Sequence, residues 1–439
     1  MSMIYVKAGR LLVKQSFFGG TMLTFRTLAR YGIFGLPLAF AGLPLYIHMP
    51  RFYADVLHLD LGVLGSLLLG LRLADAAIDP FIGWISDYLS HSSRLIILLA
   101  VPVFMVGYAA LFYPIAWSFS HPVVWLCGCL TLVYISFSTL MINYYAIGVS
   151  LAKTSHDHTR LAGFREGAML LGVLLASLLP TVLLHDLDVR KAYAVFGLLL
   201  APLLVVSTAF FLYGSMTQRQ KSAIKPDSFW HLLHLADVRW VLIIGFLNAT
   251  PTAITSTLFL FFTHDILQAD KYSGPLLALY FLSAAAGMPL WGRMSLHWGK
   301  KRSLMIAMLG AISCFVWAAT LGVGDVLSFA VICSLSGLTL GADSMFLPAL
   351  LADSLKHKQN ASASGFGLWN FTSKLTMAFA AGLVLPMLAY AGYRSGTLNS
   401  AHALFALSTC YALVPCLLKA VALMFLHFSP LDPKEIRHA

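Results

Sequence analysis

Hydrophobic residues run through this 439-residue chain in long blocks, and clusters of charge break the blocks at intervals. Blocks near 31–50, 62–88, 95–117, 122–150, 164–184 and 193–214 precede a second set near 240–263, 273–298, 303–322, 326–352, 362–390 and 403–427. About 20 apolar residues, rising ~1.5 Å each, carry one helix across a bilayer's hydrocarbon layer. The pattern therefore predicts an all-α polytopic membrane protein with twelve transmembrane helices, some tilted or protruding. The longest polar connection, 215–239, falls midway, where transporters built from two six-helix bundles carry their linker. The expected domains are a bundle over 1–214 opening on a basic segment 1–30, a linker over 215–239, a second bundle over 240–427 and a tail over 428–439. Within the linker, Phe229-Trp230-His231-Leu232-Leu233 reads as a short interfacial helix.

Composition points the same way. The chain is 59% hydrophobic and 11% charged, with a mean hydropathy of +0.81; soluble chains hold about 45–50% apolar and about 25% charged residues. A cytosolic enzyme, a nucleic-acid binder and a disordered protein are excluded despite the formal charge of +11. With both termini cytoplasmic, 20 of the 29 Lys and Arg residues fall on cytoplasmic segments, 5 outside, and 4 (Arg72, Arg293, Lys374 and Lys419) within spans. That is the bias of an inner or plasma-membrane protein with its termini inside. It accounts for the positive charge without an acidic partner. The N-terminus, with Lys7, Arg10 and Lys14, lacks the apolar core and cleavage site of a signal peptide. Residues 4–20 either lie on the anionic inner leaflet or stay unstructured. All six cysteines fall in apolar runs, with no ligand-like pair, and read as small core residues.

A parallel repeat between the halves is detectable at an offset of 209, where Pro80, Gly83 and Ser86 recur as Pro289, Gly292 and Ser295. Arg165 falls on Lys374 at the same offset, but Asp75 and Asp79 fall on Ala284 and Met288. A motif both halves needed for folding would be kept in both. The two carboxylates read as a functional addition to one half.

Asp75 stands about 13 residues into its block, roughly 20 Å deep, and Asp79 follows one turn later on the same face. An ionisable residue at that depth costs about 2.5–3.5 kcal/mol, and two like charges one turn apart repel. A bound Na⁺ or a proton relieves both penalties, which is how a coupling ion is held and released. Arg72, one turn before Asp75, and Lys374, buried in the eleventh block, are the charge-coupling candidates. Two readings follow: a cation site, or four charges that neutralise one another and lock two helices. Buried ion pairs are seldom the most stabilising choice, which favours the first.

The run Arg72-x-x-Asp75-Ala-x-x-Asp79-Pro80-x-x-Gly83 resembles the second-helix signature of melibiose-carrier-like transporters. These form the glycoside–pentoside–hexuronide:cation symporter branch of the major facilitator superfamily. Asn143-Tyr144-Tyr145-Ala146, Asp157-His158-Thr159-Arg160-Leu161 and Arg165-Glu166 are similar to its fourth-helix end and following loop. Gly287-Met288-Pro289-Leu290-Trp291 with Gly299-Lys300-Lys301 resembles its eighth-helix segment. Pro348-Ala349-Leu350-Leu351-Ala352-Asp353, Gly365-Phe366-Gly367-Leu368-Trp369-Asn370 and Lys374 resemble its tenth- and eleventh-helix block. The resemblance implies the major facilitator fold and a cation site of Asp75 and Asp79 with a hydroxyl from Ser138 or Thr139. If the ion is sodium, Asp75 and Asp79 are its metal ligands. It places Lys374 beside that site, assigns Arg165 to substrate binding and gating, and makes Tyr145 the aromatic platform where a Trp is usual. Sugar-binding acids of the family are replaced by Ala39 and Met141, and an Asn between the cation carboxylates by Ile78.

The leading expectation is a secondary active symporter, coupled to Na⁺ or H⁺ with Li⁺ as a third candidate, moving a small organic solute such as a sugar or glycoside by alternating access. The alternative is a lysolipid or other amphiphile carried by the same fold, which the loss of polar sugar ligands favours. Trp369 and Asn370, near Lys374, are substrate-binding candidates. Asp87, Arg94 and Arg160 are gating candidates, although Ser90, His91 and Ser92 fill the stretch where the superfamily's gating loop has glycines. No cofactor is expected, and the expected partners are the bilayer, the coupling cation and the solute, with the chain acting as a monomer. An intramembrane transferase would need a second acidic motif, whereas Asp343 and Asp353 stand apart. His91, His156, His158, His231 and His234 read as solvated or interfacial residues. An ATP-driven pump is excluded because the chain has no phosphate-binding G-x-x-x-x-G-K-[ST] loop, and nothing repeats as a channel filter.

Overall fold

The computed structural model describes residues 23–57, 59, 61–186, 188–214, 229–356, 361–393 and 399–431. The expectations for residues 4–20, for linker residues 215–228 and for tail residues 432–439 lie outside them. Among the described residues the chain makes twelve long helical passages. Helix α1 comprises Phe25–Ile33 and Gly35–Leu57; α2 is Leu61–Tyr88, α3 Ser93–Phe112, α4 Pro122–Leu151, α5 Ser155–Asp186 and α6 Val189–Gly214. In the second half α7 is Ala236–Phe261 with a π turn at Phe262–Ile266, and α8 and α9 form one helical run, Ser273–Phe315. Then come α10 (Val326–Leu355), α11 (Ser362–Tyr390) and α12, which is Ala401–Ser408, a π turn Thr409–Leu413 and Val414–Phe428. A short helix, Phe229–His234, forms where the linker's apolar cluster is.

Local chemistry explains the boundaries. Gly299 has φ 77°, a left-handed backbone that costs glycine little, and it divides α8 (273–298) from α9 (300–315). Helix α5 begins nine residues before its apolar block, at Ser155, because Thr154 and Asp157 cap it reciprocally. The Asp157 N–H donates to Thr154 Oγ1 (3.1 Å), and the Thr154 N–H donates to Asp157 Oδ2 (3.3 Å). The turn between α2 and α3 is a 3₁₀ segment, Ser90–Ser92. The π turns of α7 and α12 meet, stacking Phe262 on Tyr411 at 4.1 Å between ring centroids.

The helices are apolar on both sides: Leu98, Leu99, Val106 and Leu327 face outward, as lipid requires. Lipid supplies no hydrophobic force between helices, so close backbone approach does the packing. Helices α2 and α11 run antiparallel across the two halves through Gly83 and Gly367. A Cβ on Gly367 would stand 2.6 Å from the Asp79 carbonyl oxygen, and one on Gly83 2.5 Å from that of Ala363. We expect Gly367→Ala to lower stability by about 1–3 kcal/mol through overpacking. Gly382→Ala, with open space around the added carbon, should leave the melting temperature of the purified protein unchanged.

Candidate functional site

The α2–α11 crossing brings the intramembrane charges together with α4. Lys374 on α11 places Nζ 2.6 Å from Asp75 Oδ2 and 2.8 Å from Asp79 Oδ2. It also donates to Ser138 Oγ on α4 (2.9 Å), and Ser138 Oγ donates to Asp75 Oδ1 (3.2 Å). Asp79 and Ser138 are fully buried and Asp75 nearly so. Arg72 lies one turn further out, in electrostatic reach of Asp75 and Tyr134. Thr139 is corrected out of the cluster: a helix turns about 100° per residue, and its hydroxyl instead donates to Ile135 O (2.7 Å). Asp79 Oδ1 is buried with no hydrogen-bond donor. Two carboxylates share the ammonium, so these three groups sum to one negative charge and offer an oxygen with nothing on it. At the equivalent positions of α8, Ala284 and Met288 pack against Gly341 of α10.

A second cluster lies two turns along α4 from Ser138. The Arg165 guanidinium stands 4.0 Å from the centre of the Tyr145 ring, and Tyr145 stacks on Phe366 of α11 at 4.8 Å. Arg165 also pairs with Glu166 Oε1 at 2.9 Å. These groups close on one another and leave only a small crevice, which Tyr31, Pro348 and Ala349 also line. Trp369 belongs elsewhere: its ring fills the space beside Gly245 of α7, so it packs within the second half. Asn370 is half-buried, one turn before Lys374.

The Asp87 end of the molecule is tied shut across the halves. Asp87 caps α11, accepting the N–H groups of Ala363 (2.9 Å) and Ser364 (2.6 Å). Asp353 of α10 accepts from Ser155 Oγ (2.8 Å), pairs with His158 Nδ1 (2.6 Å) and with Lys300 (2.6 Å). His158 is therefore buried and paired, against the expectation of a solvated histidine. Burial, then the Arg160 charge, lowers the pKa of neighbouring His156. Arg160 does not cross the halves: it donates to Leu23 O (3.1 Å), fastening α5 to the start of α1. Arg94 stands in the first turn of α3 at the same end.

Two tertiary contacts are not legible in the sequence. The latch of Asp353 with Ser155 and His158 joins residues almost 200 positions apart, and its one legible signal was an acid at a span end. Lys419 and Asp343 form a buried ion pair at 2.6 Å between α12 and α10. Lys419 stood out as an intramembrane charge and Asp343 as an acid standing apart, but their partnership is tertiary.

Residues 30–433 match the family model described as MFS/sugar transport protein. The isoprimeverose transporter of Lactiplantibacillus pentosus is 24% identical over 424 residues, covering 88% of this chain and 85% of that protein. The glucuronide carrier protein homolog of Escherichia coli (strain K12) is 22% identical over 436 residues, 94% of each. The sodium-dependent lysophosphatidylcholine symporter 1 of Xenopus tropicalis is 22% identical over 424 residues, covering 83% and 79%. Among solved structures, a bacterial homologue of the iron transporter ferroportin in an outward-facing state superposes with a TM-score of 0.68. It is 14% identical over 92% of this chain and 100% of that one, a likeness of fold.

Proposed function

The chain belongs to the MFS/sugar transport protein family, and on that premise we propose that it is a cation-coupled symporter of a sugar or glycoside. It is a multi-pass membrane transporter with the two-bundle major facilitator fold. The observation that carries the coupling is the Asp75–Asp79–Lys374–Ser138 cluster, with its residual negative charge and the bare Asp79 Oδ1. Without the ion, Lys374 bridges both carboxylates. An entering Na⁺, Li⁺ or proton takes Asp79 and frees Lys374 to follow Asp75 and Ser138. Because Lys374 is on α11 and the acids are on α2, this exchange loosens a tie between the halves, which is what alternating access needs.

The Lys and Arg bias puts the Asp87 end in the cytoplasm, so the arrangement described is the one closed to the cytoplasm. Tyr145 and Arg165 then meet the solute from above the Asp353 latch. Arg165 supplies charge-assisted hydrogen bonds and Tyr145 a ring face. A second reading, a lysolipid solute, is favoured by Ala39 and Met141, buried apolar residues where the resembled family binds sugar hydroxyls.

The test is uptake into proteoliposomes of isoprimeverose, a glucuronide and lysophosphatidylcholine, each driven by an inward Na⁺ or H⁺ gradient. Accumulation of a glycoside that collapses with the gradient is the expected result. Accumulation of the lysolipid alone moves the proposal to the second reading, and gradient-independent uptake removes the coupling.

A further inference from the structure

On the Asp87 side of the cation cluster, the seam between α2, α4 and α11 is sealed by four apolar residues, Ile82, Ile142, Ala146 and Ala363. The three helices around that seal also bury oxygens that accept or donate nothing. They are Asp79 Oδ1, Asn143 Oδ1 and Ser364 Oγ, one from each helix. Asn143 is fully buried; its Nδ2 donates to Ser86 Oγ (2.9 Å) and Thr139 O (2.8 Å), which leaves the amide oxygen bare. Ser86 is seven residues beyond Asp79 and so lies on the same face of α2, about 10 Å along it. Ser364 is three residues before Gly367, and its Cα lies 2.9 Å from where a Cβ on Gly83 would stand, so it belongs to the stretch of α11 that crosses α2. A ladder of oxygens therefore runs from the cation cluster to Asp87, with an apolar seal beside it.

We propose that Asn143, Ser86 and Ser364 form the release route by which the coupling cation leaves Asp79 for the Asp87 side, with the Asn143 carbonyl and Ser86 hydroxyl as a transient site. This rests on the cation-coupled reading above. A small hard cation takes oxygen ligands. Neutral amide and hydroxyl oxygens hold it more weakly than a carboxylate pair, which suits a step the ion must leave quickly. The seal and the route share a gate. Opening this end must part Ala363 and Ser364 from Asp87 and Gly83, and the same movement lifts Ala363 off Ile82 and Ile142. Once the ion has moved on, Lys374 returns to both carboxylates and opposes its re-entry.

The experiment compares two modes of transport in proteoliposomes, using whichever of isoprimeverose, a glucuronide or lysophosphatidylcholine the wild type accumulates. Net uptake into a Na⁺-free lumen requires release of the ion inside; solute exchange with Na⁺ saturating on both sides does not. Asn143→Leu, with the same branched skeleton but without the oxygen, should cut net uptake by about tenfold while exchange and the Na⁺ midpoint of thermal stabilisation stay within about twofold. Ser86→Ala should show the same contrast more weakly, and it carries the test if the leucine variant does not fold. Net uptake at the wild-type rate in both variants, or an equal fall in net uptake and exchange, overturns the release route. An unchanged Na⁺ response in Asp79→Asn, measured alongside, would instead overturn the cation site itself.

Discussion

Asp79→Asn is expected to abolish cation-driven uptake while leaving a folded protein. Asp79 is fully buried and its Oδ1 has no donor, and the amide that replaces it keeps an oxygen that can accept from Lys374. The variant leaves Lys374 paired with Asp75 alone, a neutral pair that needs no further ion. Removing one member of a buried charge set costs about 3–5 kcal/mol of the interaction it made, so cation affinity should fall by at least about a hundredfold. A Na⁺ titration of initial uptake rate reads this directly, with the melting temperature as the check on folding. Asp75→Asn should be milder, because Asp75 is less buried and Ser138 still donates to the residue there.

Lys374→Ala should produce the opposite dependence. It strands two carboxylates in the membrane, one turn apart, with Arg72 in electrostatic reach of Asp75. Loss of a buried countercharge destabilises by about 3–5 kcal/mol. We expect the purified variant to melt well below wild type in choline buffer and to recover most of the difference in Na⁺ or Li⁺, since the ion then occupies the place of the ammonium. A variant that is equally unstable in every salt would show that Lys374 is a structural tie and not a surrogate for the ion.

Much of this was legible in the chain because a membrane protein writes its topology in runs. The twelve passages, the break at Gly299-Lys300-Lys301 and the short linker helix follow from apolar length, charge and one glycine. The asymmetric pair Asp75/Asp79 stood out because carboxylates are costly in lipid, and their four-residue spacing placed them on one face. Sequence could not choose between Ser138 and Thr139, since neighbours differ by about 100° of helix rotation and the choice depends on how α4 is turned. Trp369 misled because proximity in sequence to Lys374 says nothing about the opposite helix face, which meets Gly245. The Asp353–His158 latch and the Lys419–Asp343 pair depend on contacts between distant helices, and histidines at span ends look alike whether buried or solvated.

On this reading Asp75 and Asp79 together hold one monovalent cation. The most direct measurement is the melting temperature of purified wild-type protein against Na⁺, Li⁺ and K⁺ at several pH values, with Asp79→Asn and Thr139→Ala beside it. A ligand that binds only the folded state stabilises it by RT ln(1 + [L]/Kd), about 2.7 kcal/mol at a hundredfold excess over Kd, so even a millimolar site registers. The predicted result is a saturable rise specific to Na⁺, Li⁺ or protons, kept in Thr139→Ala and lost in Asp79→Asn. A melting temperature indifferent to every ion and to pH, or an ion response that survives in Asp79→Asn, would contradict it.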